Sequence, residues 1–273
     1  MHFVFSHSDD LAIHILVEWL DIADVLQLDT ACAISNYEKE NLHRIFALPQ
    51  VVFHNANRLS VYFKRITTGF LLILLSKKIK LAKVVVSSDT TEDLQLIEKY
   101  LTMCGPALRA LEFNTYNDNL MSTAMKLCCS IKELIILNGH DIGKNNVLFF
   151  DSIETFNLKW EFGTTKNNIS IKFPNLVNLT VEGSAVSDSL INGILQHTTK
   201  LLRLELGHAH NLTEASFTAV GLHCKTLTRL SVCNMSFLPT HLVDILSSCP
   251  QVKELQLCHN HCALPAFNGT FSG

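Results

Sequence analysis

The sequence predicts an α/β fold in which short parallel strands and their return segments stack as repeats behind a small helical region. Three observations predict it. A phrase made of an apolar residue, two positions, a second apolar residue, one position and a third apolar residue occurs eight times between Leu81 and Cys258. Its copies begin 22 to 27 residues apart, which is the length of one strand plus one return. Apolar residues make up 48% of the chain, enough for nearly every element to feed a shared core.

In chain order, residues 8–48 come first and follow a different pattern from the repeats. Leu11, Ile15, Leu16, Trp19 and Leu20 fall on one helical face, with Ser8, Asp9 and Asp10 placed to cap and charge its start. A turn over residues 21–24 leads to a second apolar set at Val25, Leu28 and Cys32. Residues 49–80 read as a linker or a degenerate first repeat. Within them, Val51, Val52 and Phe53 suit a short strand or turn, while Phe63, Ile66, Phe70, Ile73 and Leu74 have helical spacing that Gly69 interrupts. The run Lys77, Lys78, Ile79, Lys80 reads as the solvated end of that helix.

The repeats occupy residues 81–262, and a tail rich in Pro, Gly and Ser fills 263–273. The phrases are Leu81-Val84-Val86, Leu108-Leu111-Phe113, Ile131-Leu134-Ile136, Ile153-Phe156-Leu158, Leu176-Leu179-Val181, Leu201-Leu204-Leu206, Leu227-Leu230-Val232 and Val252-Leu255-Leu257. One unit cannot bury its own apolar face, so the units stack. Helices are expected over 189–196, 215–223 and 240–247, the first two capped by Ser187 and Thr213 with an acidic residue following. The returns of the third and fourth repeats, 145–150 and 164–168, lack helical periodicity and are expected to be loops. Cys104, Cys128, Cys224 and Cys249 fall late in their returns, where a thiol serves as a small apolar group.

Side chains alternate along a strand, so the residues between the phrase positions face away from the core. Ten of them form the expected partner-binding surface: Glu112, Asn157, Thr180, Glu182, Arg203, Glu205, Arg229, Ser231, Glu254 and Gln256. Their mixed polarity and sign suit a protein or peptide target better than a uniformly charged polymer.

The phrase and its period resemble the cysteine-containing class of leucine-rich repeats. The resemblance implies a solenoid with parallel strands on its concave face, helices or loops on its convex face, and a protein target on the concave side. Leu16-Val17-Glu18-Trp19-Leu20, then Asp24-Val25-Leu26 and Ala31-Cys32, resemble a divergent F-box, a unit common in front of such repeats. That resemblance implies a small all-α amino-terminal region in which Leu16, Trp19, Leu20 and Val25 dock on the adaptor subunit of a cullin-RING ubiquitin ligase. The chain would then be the substrate-recognition subunit. The alternative is a scaffold or regulator unconnected to ubiquitin, in which the same helices only cover the open end of the first repeat.

Charge and motif content exclude other classes. The chain has 22 basic and 25 acidic residues, a net charge of −3, and no basic footprint for nucleic acid or an anionic membrane. Its longest apolar run, residues 70–75, is far short of the ~20 residues that cross a bilayer. The amino terminus does not read as a secretory signal, and nine cysteines is an odd count for a disulfide framework, so a cytoplasmic or nuclear setting is expected. No Gly-rich phosphate loop, Gly-x-Ser-x-Gly elbow or His-Glu-x-x-His is present, so neither catalysis nor a cofactor is expected. Cys258, His259, His261 and Cys262 lack the spacing of a zinc site, and His208 and His210 read as turn residues.

Overall fold

The structure, a computed structural model, describes residues 24–25, 27–28, 36–48, 51–53, 68–86, 91–114, 118–137, 147–160, 170–235 and 239–258. Leu16, Trp19 and Leu20 lie outside them. Two compact units are present, residues 1–115 with 119–132, and residues 116–118 with 133–273. Both alternate helices with strands, and the strand pairs within each are parallel, as the α/β reading expects.

In the first unit, helix α1 (Asn36–Ala47) buries Leu42, Ile45 and Phe46, three to four residues apart on one face. Phe46 meets Phe53 edge to face, and Phe53 bridges Leu81 in parallel, which ties α1 to the first phrase. Helix α2 (Thr68–Ser76) ends where Lys78 adopts a left-handed conformation with φ of 56°. The Ile79 amide then donates to the Leu74 carbonyl and the Lys78 amide to that of Leu75, the pattern of a Schellman stop. Strand β1 (Lys83–Val86), helix α3 (Thr91–Cys104), strand β2 (Ala110–Phe113) and helix α4 (Asp118–Leu127) follow. Asp118, the first residue of α4, belongs to the second unit. Val84 pairs with Leu111 and Val86 with Phe113, so equivalent phrase positions are neighbours.

The second unit holds β3 (Glu133–Ile136), β4 (Val147–Phe149), β5 (Thr155–Lys159), β6 (Ser170–Lys172), β7 (Asn178–Glu182), helix α5 (Asp188–Leu195), β8 (Arg203–Gly207), helix α6 (Glu214–His223), β9 (Arg229–Cys233), helix α7 (Pro239–Ser248) and β10 (Glu254–Cys258). Its main sheet runs in sequence order, β3, β5, β7, β8, β9, β10, and every described pairing joins equivalent phrase positions. Leu204 lies between Leu179 and Leu230, and Leu206 between Val181 and Val232. Through the first seven phrases, every phrase residue is at most 3% exposed. The eighth differs: Leu255 is 40% and Leu257 43% exposed, on a strand that pairs on one side only among the described residues.

The expected loops of the third and fourth returns are corrected in part. Val147–Phe149 forms β4 and pairs in parallel with β6, while residues 161–169 lie outside the description. Phe150 and Phe173, just past the two strands, pack with each other, and Phe173 meets Phe156 edge to face at 5.0 Å. Strand β6 contacts helix α5, so β4 and β6 take the place in the stack that helices α5 to α7 take in later repeats.

Candidate functional site

In the second unit the outward residues form three rows that the register fixes. The first is Glu133, Thr155, Asn178, Arg203, Arg229 and Glu254; the second is Ile135, Asn157, Thr180, Glu205, Ser231 and Gln256. The third runs Lys159, Glu182, Gly207, Cys233, Cys258. Nine of the ten expected surface residues therefore share one sheet face. The tenth, Glu112, sits on β2 of the first unit and pairs with Lys83 at 3.6 Å.

Along the rows, neighbours hold one another. Asn178 donates to Thr155 Oγ1 at 3.0 Å, Thr180 to Glu205 at 3.5 Å, and Arg229 reaches Glu254 at 3.4 Å and Gln256 at 3.4 Å. Lys159 and Glu182 stand 4.0 Å apart. These ion pairs are solvated, and such pairs contribute about 0–1 kcal/mol each. A partner could therefore replace them at small loss, while their mixed sign gives the face a pattern to match. Ser231 is 6% exposed, so it presents little surface of its own.

At the carboxyl ends of the strands the face breaks into a notch of about 410 Å³ lined by Lys159, Glu182, Gly183, Ser184, His208 and His210. Gly183 lines it, and Gly207 lies beside it against Glu182. Gly183 has φ of 120°, a region that side chains disfavour, and a Cβ on Gly207 would come within 3.2 Å of Glu182 Cγ. His208 and Asn234, each one residue past its strand, also turn left-handed, at φ of 54° and 51°. His208 Nδ1 lies 2.6 Å from Asn234 Nδ2, which fixes the imidazole against the next repeat. The sequence marked His208 and His210 but gave no sign of the notch, because Gly183 contributes to it by the side chain it lacks.

The buried thiols are chemically quiet. Burial pushes Cys104, Cys128 and Cys224 up to about 12, and neighbouring cysteines add to the effect. No group of three or more His, Cys, Asp or Glu side chains suited to a metal occurs among the described residues. Among those residues, no helix is long and apolar enough to cross a membrane. Of the expected docking residues, Val25 is fully buried, and Leu16, Trp19 and Leu20 are outside the description. No protein-family model matches the chain, and no curated protein matches it in sequence.

Proposed function

We propose that this chain is a non-catalytic protein-interaction module of the leucine-rich-repeat type, working in the cytoplasm or nucleus, that holds a protein target on the outward, concave face of its repeats. The observation that carries the reading is the register. Because equivalent positions stack as straight rows, Asn157, Thr180, Glu182, Arg203, Glu205, Arg229, Glu254 and Gln256 form a continuous surface of mixed charge whose internal pairs are weak and exchangeable. Through the F-box resemblance, the target would be delivered to a cullin-RING ubiquitin ligase, with Leu16, Trp19 and Leu20 as the docking residues.

The second reading is a scaffold without a ligase, in which the amino-terminal region only covers the first strand. It is favoured by the burial of Val25, Leu42, Ile45 and Phe46 and by the tie from Phe46 through Phe53 to Leu81. Affinity purification of the full chain with paired variants separates the two. Arg203→Glu with Arg229→Glu should abolish target recovery, and Leu16→Asp with Leu20→Asp should abolish recovery of adaptor and cullin only. Target recovery without ligase subunits from the unmodified chain selects the scaffold. A folded Arg203→Glu, Arg229→Glu protein that keeps its full set of partners removes the face from consideration.

A further inference from the structure

The third outward row ends in two thiols on adjacent strands. Cys233 on β9 and Cys258 on β10 are register partners, both partly exposed and both free. Paired strands bring partner Cα atoms to about 4.8 Å, inside the ~4.4–6.8 Å range that a disulfide spans. Burial and the neighbouring Cys258 thiol push Cys233 above the ordinary thiol value, and Cys233 Sγ lies 3.6 Å from Ser231 Oγ. Gln256 Nε2 stands 3.2 Å from Cys258 Sγ, so each sulfur is held on the same face as the other.

We propose that Cys233 and Cys258 are a vicinal dithiol site that a small-molecule disulfide such as oxidised glutathione converts, reversibly, into a bridge between β9 and β10. One thiolate attacks the glutathione disulfide, forming a mixed disulfide and releasing one glutathione. The second thiolate attacks the protein sulfur of that bond, closing the bridge and releasing the second glutathione. Two electrons pass from the dithiol to the oxidant, and the two thiol protons end on the two glutathiones.

The fold favours this pair over the other cysteine pairs. Cys104 with Cys128 and Cys224 with Cys249 are enclosed in the core, which shuts out an oxidant. Cys233 and Cys258 are open to one. A disulfide also needs its Cβ atoms at about 3.8 Å, closer than flat neighbouring strands hold them. The approach falls to β10, which pairs on one side among the described residues and whose Leu255 and Leu257 are half exposed. A bridge closed against that resistance is readily reduced again. The site does not depend on the face having a protein partner.

The test uses the full reduced chain, oxidised glutathione in mildly alkaline buffer, alkylation of remaining thiols, intact mass and peptide mapping. The expected product has lost two hydrogen atoms, gained no glutathione, and yields one cross-linked peptide joining Cys233 to Cys258. Dithiothreitol should reverse it. In Cys233→Ser and Cys258→Ser, each checked for folding by circular dichroism, the bridge should vanish and a stable glutathione adduct should collect on the surviving thiol. Bridging should also slow amide exchange in β10 about tenfold by suppressing opening of that strand. A lasting glutathione adduct on the unaltered chain, or a bridge from Cys258 to Cys262 instead, overturns the proposal.

Discussion

Asp188 shows how a single side chain joins two repeats. Its carboxylate accepts the Thr213 amide at 2.9 Å, the Thr213 hydroxyl at 2.7 Å and the Ser216 hydroxyl at 2.6 Å, while Thr213 Oγ1 in turn accepts the Ala215 amide. Burial raises the carboxyl, but the hydrogen bonds from Ser216 and Thr213 outweigh it and hold it below its ordinary 3.8. Asp188→Ala should cost about 1–2 kcal/mol in urea unfolding, because the Ser216 hydroxyl is left buried without its acceptor. A lowered folded-state value means the contribution is present above the ordinary carboxylate range and lost as pH falls through the lowered value. The gap between wild type and variant should therefore narrow in acid, and a gap that stays constant to low pH would refute the assignment. Lys78 presents the opposite case, a side chain in a backbone region that suits glycine. Lys78→Gly should raise stability by about 0.5–1 kcal/mol, read from the unfolding midpoint. Only part of this was legible. Thr213 read as a cap and is one, whereas Ser187 holds the cap position without the bond, its hydroxyl lying 3.0 Å from that of Ser189. Lys80 read as a solvated lysine, yet its ammonium reaches the Leu48 carbonyl at 2.7 Å, a partner 32 residues away that no local pattern announces.

Elements pack here through close approaches that particular small residues permit. Gly105 opens the turn after α3, and a Cβ there would sit 2.7 Å from the Leu127 carbonyl oxygen and 3.2 Å from Cys128 Sγ. The first contact is with backbone, which cannot swing aside. Gly105→Ala should destabilise the first unit by about 1–3 kcal/mol, and a thermal midpoint unchanged from wild type would show that the α3 and α4 ends are looser than described. Between α6 and α7 the equivalent approach is at Gly221 against Ser248, where Lys225 adds a clasp by donating to the carbonyls of both residues. Position within the repeat pointed to α5, α6 and α7, and caps at Ser187 and Thr213 added to the signal for the first two. It could not reveal β4 and β6. Three residues are too few to show alternation, and the ring contacts of Phe173 with Phe150 and Phe156 join positions distant in sequence.

For the molecule, the eight phrases were the legible part, and each became a strand. What the phrases could not disclose was how unevenly the repeats are covered. In the main sheet of the second unit each strand pairs only with the strands of adjacent repeats, so stability is expected to vary along the stack. Leu204→Ala, in a fully buried position between two paired strands, should cost about 2–5 kcal/mol, whereas Leu255→Ala on the half-exposed β10 should cost under about 1 kcal/mol. Amide exchange should be slowest in β7 and β8 and fastest in β10, and uniform protection across the six strands would contradict a chain of nearest-neighbour couplings. The same arrangement separates two jobs. Inward residues set whether the rungs hold, while outward substitutions away from buried partners are worth only about 0.5 kcal/mol either way. Each rung thus offers two or three letters that selection can respell almost without touching the frame, so a lineage of such chains can change its outward face faster than it changes its backbone.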